Sequence, residues 1–190
     1  MRKLLLIILA LGAMMTASAQ KQSLTYEGNV LMLKGNGSYD VKFDYSDLFV
    51  EGKQLDEFLA SKDEKFRYDW ESNIVVGAEQ YGRAVPVFIN KKFIHNPENP
   101  EYIFVIKLNS LMLGNAGAQF NPFAGAKAGG AVISGQIDII QASTNEKVGA
   151  LHFNELKGFA SGFDFSDRAR WQMAYVALGA EFKKMLKKVK

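Results

Sequence analysis

The chain has 190 residues, of which 48% are hydrophobic and 23% charged, and its formal net charge is +3. It contains no cysteine, which excludes disulfides, a cysteine nucleophile and the lipid anchor of a lipoprotein. The length is enough for one hydrophobic core, so we expect residues 20–190 to form a single globular α+β domain.

Residues 1–19 have the pattern of a cleaved signal peptide. Two basic residues precede an apolar run, Leu4–Met15, and Ala17-Ser18-Ala19 provides a small-residue cleavage site. The run is too short for a transmembrane helix, which needs about 20 apolar residues. We therefore expect cleavage after Ala19 and a periplasmic or secreted protein that begins at Gln20.

Cleavage also changes the charge balance of the chain. The mature protein has 171 residues with 21 basic and 20 acidic side chains, because the signal removes two basic residues and no acidic one. Nucleic-acid binding depends on clustered positive charge that neutralises phosphates. A net charge of +1 argues against a nucleic-acid partner.

Two strands are predicted at the start of the mature chain. Residues 24–33 predict the first, and Asn36-Gly37 is typical of a hairpin turn into the second. The turn explains these residues without a modification, although Asn36-Gly37-Ser38 also matches a glycosylation sequon. The second strand alternates between apolar and polar residues, which predicts one buried and one hydrated face. The apolar residues are Tyr39, Val41, Phe43 and Tyr45, and the polar ones are Asp40, Lys42, Asp44 and Ser46.

A helical region follows. Residues 53–61 predict a short helix, and Ser61 and Glu64 have capping-box spacing for a longer one from Lys62 to about Tyr81. Gly82 and Pro86 then interrupt the pattern, and residues 86–93 predict one further turn. The apolar stripe of the longer helix comprises Phe66, Trp70, Ile74, Ala78 and Tyr81.

Three strands are predicted after the connection at residues 96–100. Ile103–Ile106 is a continuous apolar run, which is typical of a central strand covered on both faces. Residues 130–142 and 147–156 predict two further strands, and the polar turn between them predicts a hairpin.

A long helix is predicted at the end of the chain. Ser166 or Asp164 can cap its start. Lysines crowd its last turns, where they suit either a hydrated face matched to the helix dipole or contact with an anionic surface. The apolar stripe comprises Trp171, Ala174, Tyr175, Leu178, Phe182, Met185, Leu186 and Val189, and the lysines are Lys183, Lys184, Lys187, Lys188 and Lys190.

The element order β-β-α-α-β-β-β-α predicts an α+β fold. The simplest arrangement that buries the apolar faces of both kinds of element has two layers, a mostly antiparallel sheet with the helices packed on one face.

Residues suited to catalysis or metal binding are few. His95 and His152 belong to no zinc motif, and no serine lies in a nucleophile elbow. A glycan-directed hydrolase needs paired carboxylates, for which Asp40, Asp44 and Asp47 are the candidates. The first two lie on the hydrated side of their strand, where a charge favours solubility. We therefore expect no enzyme activity, no cofactor and no metal.

Trp70 and Trp171 could stack against a sugar. Both fall on apolar helical stripes, which predicts core packing instead.

Residues 115–130, with the sequence NAGAQFNPFAGAKAGG, form the most unusual stretch. It lacks the glycine and lysine spacing of a phosphate-binding or dinucleotide-binding loop. In one interpretation it connects two strands, with Phe120 and Phe123 packed against the end of the sheet. In the other, Phe120 and Phe123 are exposed and contact a partner or a membrane, since long loops often have a function.

Three segments carry a resemblance to a known group. They are VKFDYSDLFVEGK, GGAVISGQIDIIQASTNEKVGALHFNELKG and the closing helix. The chain resembles secreted α/β proteins similar to the curli-secretion lipoprotein domain and to the amino-terminal domain of the Tol–Pal translocation protein. It departs from the lipoproteins because no cysteine follows its signal. The resemblance implies a Gram-negative envelope module with a role in binding or assembly, and it transfers no catalytic residue.

We therefore expect an exported, non-enzymatic module that binds an envelope protein or surface component, with at most peripheral membrane contact. The alternatives are a glycan-directed hydrolase and a carrier of a small apolar ligand.

Overall fold

The computed structural model describes residues 23–114, 130–159 and 166–189. Eight strands occur in these ranges: β1 (Ser23–Gly28), β2 (Gly37–Asp44), β3 (Phe49–Val50), β4 (Lys53–Gln54), β5 (Phe93–His95), β6 (Tyr102–Met112), β7 (Val132–Gln141) and β8 (Glu146–Lys157). The α-helices of the same ranges are α1 (Leu55–Ala60), α2 (Glu64–Asp69), α3 (Val76–Gly82), α4 (Val85–Ile89) and α5 (Asp167–Leu186). A 3₁₀ helix covers Leu31–Lys34, and a π-helical segment, Trp70–Val75, joins α2 to α3.

The strands form one mixed sheet in the order β1-β8-β7-β6-β2-β5, and the short β3 pairs with β6 and β4. The neighbouring strands β1, β8, β7 and β6 are antiparallel to one another in turn, whereas β2 is parallel to both of its neighbours, β5 and β6. The helices pack on one face of this sheet. The predicted α+β fold with its helices on one face is therefore confirmed.

The hairpin predicted at Asn36-Gly37 is wrong. β1 ends at Gly28 and pairs with β8, with Leu24 opposite Phe153, so it lies at the edge of the sheet away from β2. The 3₁₀ helix that follows buries Leu33 and carries the chain towards β2. A parallel pair needs a long crossover, and the helices between β2 and β6 supply it.

The longest helix, α5, covers the core face of the sheet. Ser166 caps it as predicted, because its hydroxyl accepts a hydrogen bond of 3.1 Å from the Ala169 amide. The predicted stripe is confirmed: six of its residues are buried, and Met185 and Val189 pack against the same core. The buried six are Trp171, Ala174, Tyr175, Leu178, Phe182 and Leu186.

The helical segment from residue 64 to residue 82 begins at a different cap from the predicted one. Asp63, not Ser61, is the N-cap, and its carboxylate accepts a hydrogen bond of 2.7 Å from the Phe66 amide. Its buried hydrophobic residues, Trp70, Ile74 and Ala78, recur at steps of four. The π-helical turn keeps such a spacing on one face because it has more residues per turn than an α-helix.

The central position of β6 is confirmed, but the prediction that both its faces are covered is wrong. Phe104, Ile106 and Leu108 face the helices and are fully buried. Ile103 and Val105 point to the other side and stay half-buried. The described helices leave this second side of the sheet uncovered.

Candidate functional site

The side of the sheet opposite the helices is called the open face below. Strand register places its side chains in rows that run across five neighbouring strands. It comprises Thr25 and Glu27 of β1, Lys147, Ala150 and His152 of β8, Gln136, Asp138 and Ile140 of β7, Ile103, Val105 and Lys107 of β6, and Asp40, Lys42 and Asp44 of β2.

Asp138 is the centre of a charged cluster on this face. Its Oδ2 lies 3.0 Å from Lys107 Nζ and its Oδ1 lies 2.9 Å from Lys147 Nζ. Gln136 Nε2 donates a third contact of 3.0 Å to Oδ1. Only 9% of the Asp138 side chain is exposed, so the carboxylate depends on these donors to replace water.

The lysines hold the carboxylates of this cluster in the ionised form. Burial raises the pKa of Asp138, but the hydrogen bonds and charges of Lys147 and Lys107 outweigh that effect and hold the pKa below its ordinary value. The hydrogen bond and charge of Lys147 likewise lower the pKa of Glu27. The pKa of Lys147 is raised in turn by its hydrogen bonds to Glu27 and Asp138.

Glu27 extends the cluster to the edge of the sheet. Its Oε1 lies 2.8 Å from Lys147 Nζ, and its Oε2 lies 3.8 Å from His152 Nε2. Glu27, Ala150 and Asp138 occupy one row of the register, and Thr25, His152 and Gln136 the next. Six side chains from four strands thus form one connected polar network: Lys107, Gln136, Asp138, Lys147, Glu27 and His152.

A retaining glycosidase needs two carboxyl groups about 5 Å apart, one of which keeps its proton near neutral pH. Glu27 and Asp138 both contact Lys147 Nζ, at 2.8 and 2.9 Å, and therefore lie on the same part of the open face. They fail the protonation condition, because Lys147 lowers the pKa of both carboxylates. This pair is suited to a fixed charge rather than to acid catalysis.

The three aspartates singled out in the sequence form no ion pair with the lysines of this cluster, although Asp44 lies opposite Lys107 in the strand register. Asp40 and Asp44 point to the open face, as the alternation in β2 predicts, and Asp47 lies in an exposed turn. The Ser46 hydroxyl and amide donate hydrogen bonds of 2.7 and 3.0 Å to Asp44 Oδ1, which lowers the pKa of that carboxylate. Asp44 therefore stabilises a local turn.

The two histidines lie near opposite edges of the sheet. His95 Nε2 is 3.5 Å from Asp40 Oδ1, and its ring lies against Tyr39 with centroids 5.3 Å apart. His152 contacts Glu27 on β1. Within residues 23–114, 130–159 and 166–189, no three His, Asp or Glu side chains are grouped closely enough to hold a metal ion.

The two tryptophans are core residues, as predicted. Trp70 and Trp171 are buried, with ring centroids 5.7 Å apart. Neither therefore offers a ring face to a sugar.

Apolar side chains lie beside the charged cluster. Ile103 of β6 pairs with Ile140 of β7, and Val105 lies between Lys42 and Asp138 in the next row. All three aliphatic side chains are half-buried. The open face therefore combines an aliphatic strip with a fixed pattern of charges, a composition that suits contact with another surface.

A recess of about 290 Å³ lies at the start of α5, lined by α2 and the π-helical segment. Its polar side chains contact one another: Arg168 Nη1 donates to Asn73 Oδ1, and Asn73 Nδ2 donates to Asp69 Oδ1 at 2.9 Å. These groups tie α5 to the preceding helices.

The sequence-predicted contact residues Phe120 and Phe123 lie outside the described residues, as does the signal peptide. The cluster around Asp138 was not predicted from the sequence. One signal was available, because Asp138 is a charged residue between isoleucines in a strand. Its partners come from β6 and β8, which only the pairing of the strands identifies.

No helix of the described residues combines the length and apolar character that a membrane crossing requires.

No family model and no curated protein matches the chain. The solved structures similar to it include a PelC dodecamer from Paraburkholderia phytofirmans and a point variant of that dodecamer. The variant has 12% sequence identity and a TM-score of 0.39, with 90% of this chain and 100% of the other covered. The parent has 10% identity and a TM-score of 0.38 with the same coverage. Values this low carry no argument about the role of this chain.

Proposed function

We propose that this chain is an exported, non-enzymatic module of the cell envelope that binds another envelope component through the open face of its sheet. The observation that supports the proposal best is the one-sided fold. The described helices pack on a single side, and the other side keeps half-buried aliphatic residues beside a rigid charged cluster. Export is proposed from the signal pattern of residues 1–19.

The open face is suited to recognition because its charges are fixed in position. Asp138 is nearly buried and is held by two lysines, so its side chain loses little further freedom when a partner covers it. Neighbouring positive and negative groups also reject partners whose charges do not match. Ile103, Val105 and Ile140 supply the apolar area beside them.

Site-specific crosslinking in cells tests the proposal. A photoreactive amino acid at Lys42, an exposed position on the open face, is expected to capture one defined envelope component. The matched control carries it at Tyr68, which is 75% exposed on the helical side. The same product from both positions, or none from Lys42, would contradict the proposed surface.

The position and activity of the protein are tested separately. The protein recovered from the envelope is expected to begin at Gln20, and recovery of the uncleaved chain from the cytoplasm would contradict export. The proposal of no enzyme activity predicts no turnover of envelope glycans. Turnover that a single change such as Glu27→Gln abolishes would establish the hydrolase instead.

A further inference from the structure

A second surface, separate from the open face, lies on the helical side of the molecule. A groove of about 750 Å³ runs between α4 and α5, a volume within the range of small-molecule sites. Its floor is apolar, formed by Val87 and Phe88 of α4 and by Val176 and Ala180 of α5. Lys91, Lys183, Lys184 and Lys187 form its rim. These eight residues are called the lysine groove.

The groove follows from a second stripe on α5. The stripe through Trp171, Leu178 and Phe182 enters the core. Val176, Ala180, Lys184 and Lys187 recur at steps of four and three beside it, and change from apolar to basic towards the end of the helix. At 1.5 Å per residue, positions 176 to 187 span about 16 Å. This length suits a medium-length acyl chain with its acidic head at the lysine end.

The shape of the groove is fixed by a close helix crossing. A Cβ atom added at Gly179 would lie only 2.3 Å from Phe88 Cβ, so α4 and α5 approach each other as closely as a glycine permits. Asn90 anchors the end of α4, because its Nδ2 donates to the carbonyl oxygens of Leu33 and Gly35 at 2.9 and 2.7 Å. The two walls are therefore held before any ligand arrives.

The dipole of α5 explains only part of the positive charge on the rim. Lys183, Lys184 and Lys187 lie in the last turns of α5, where cations are favoured. Lys91 belongs to the turn after α4, so the dipole of α5 does not account for its place on the same rim. Lys184 contacts Glu181 at 2.6 Å. Among the described residues, no carboxylate lies within ion-pair distance of Lys91, Lys183 or Lys187.

We propose that the lysine groove binds one molecule of a fatty-acid-like anionic amphiphile, with its acyl chain on the apolar floor and its acidic head among the lysines. The apolar floor matches the chain, and the unpaired lysines match the head. Docking of the whole face onto a membrane is disfavoured by the shape. Membrane insertion needs protruding apolar side chains, and none of the large apolar side chains that are exposed in the described residues belongs to α4 or α5.

Calorimetric titration of the purified protein with dodecanoate below its micelle concentration tests this proposal. One dodecanoate is expected to bind per chain, and dodecyltrimethylammonium, with the same chain length and the opposite charge, at least about tenfold more weakly. Inorganic phosphate alone and phosphatidylglycerol vesicles are expected not to bind. Equal affinity for the two amphiphiles, or binding to vesicles without binding of dodecanoate, would overturn the proposal.

Variants locate the site. The double change Lys183→Glu with Lys187→Glu is expected to weaken dodecanoate binding at least about tenfold. The double change Lys53→Glu with Lys65→Glu alters the net charge equally on other exposed elements and is expected to leave the affinity within about twofold. Ala180→Phe, which fills the floor without changing charge, is expected to abolish binding while the protein stays folded by circular dichroism. Unchanged affinity in the groove variants would refute the assignment.

Discussion

Lys147 and Asp138 form an ion pair with 2.9 Å between Nζ and Oδ1, and the carboxylate is almost entirely withdrawn from water. The pair joins β8 to β7, and the second contact of Asp138, to Lys107, joins β7 to β6. One carboxylate thus connects three adjacent strands on the face that the helices leave uncovered. Its removal is therefore expected to affect both stability and the shape of the open face.

The change Asp138→Asn is expected to lower the free energy of unfolding by about 1–2 kcal/mol, because two lysines lose their shared anion while most of the shape is retained. Urea denaturation followed by circular dichroism measures this loss. Asp47→Asn, in an exposed turn, is the matched control and is expected to change stability by less than about 0.5 kcal/mol. An equal effect of the two changes would show that the cluster contributes nothing specific.

Acid is expected to weaken the fold through the same cluster. The pKa values of Asp138, Glu27 and Asp44 are lowered in the folded state. Their contribution to the free energy of unfolding is complete above the ordinary carboxylate pKa values, 3.8 for aspartate and 4.5 for glutamate. It is lost as the pH falls through the lowered pKa values of the folded state. The urea concentration at the midpoint of unfolding should stay constant between about pH 5 and 7 and should decrease when the pH is lowered below about 4.

The Asp138→Asn variant provides the internal check on this acid effect. It is expected to lose stability less steeply below about pH 4, since it lacks one of the carboxylates that must be protonated. Parallel acid profiles for the parent and the variant would mean that other groups control acid unfolding.

Gly135 is required by the close approach of β7 to β6. A Cβ atom at this position would lie 2.1 Å from the Lys107 carbonyl oxygen, next to the register shift between Leu108 and Ser110. The change Gly135→Ala is expected to lower the free energy of unfolding by about 2–4 kcal/mol, because backbone atoms cannot move aside without breaking the hydrogen bonds between β6 and β7. Thermal and urea denaturation measure it.

Gly52→Asn is the matched control for this position. Gly52 has a left-handed φ of 79° but no atom within 4 Å of an added Cβ, and asparagine tolerates that conformation. The control is expected to cost less than about 1 kcal/mol. A loss as large as that of Gly135→Ala would show that the close contact at Gly135 has no special effect on stability.

Trp171 joins α5 to the π-helical segment and to the residue that follows β2. It is fully buried, and its ring lies 5.7 Å from Trp70 and 5.9 Å from Tyr45 by centroid distance. The change Trp171→Ala is expected to cost about 3–5 kcal/mol through lost burial and the cavity left behind. Tyr68→Ala, at an exposed helical position, should stay within about 0.5 kcal/mol of the parent in the same urea experiment.

The double change Phe120→Ser with Phe123→Ser tests the contact predicted for residues 115–130. If the two rings contact a partner, the free energy of unfolding is expected to change by less than about 0.5 kcal/mol, and crosslinking from Lys42 is expected to weaken. A loss of several kcal/mol would place the two rings in the core and refute the contact. Urea denaturation and the crosslinking yield are measured on the same variant.

Much of the local structure could be predicted because it depends on neighbouring residues. The alternation from Tyr39 to Asp44 identified the two faces of β2, and the steps of three and four after Trp171 identified the buried side of α5. The hairpin of β7 and β8 was also predictable, since a short polar turn places the two strands side by side.

The periodicities of β2 and α5, the Ser166 cap of α5 and the hydrated face of β2 were readable in the sequence, because each follows from side chains within one or two turns of chain. Long-range packing set the pairing of β1 with β8, the contacts of Lys107 and Lys147 with Asp138, and the position of Lys91 beside the lysines of α5. These contacts join residues far apart in sequence. Their formation depends on which strands and helices bury the most apolar surface together, a choice that no local pattern contains.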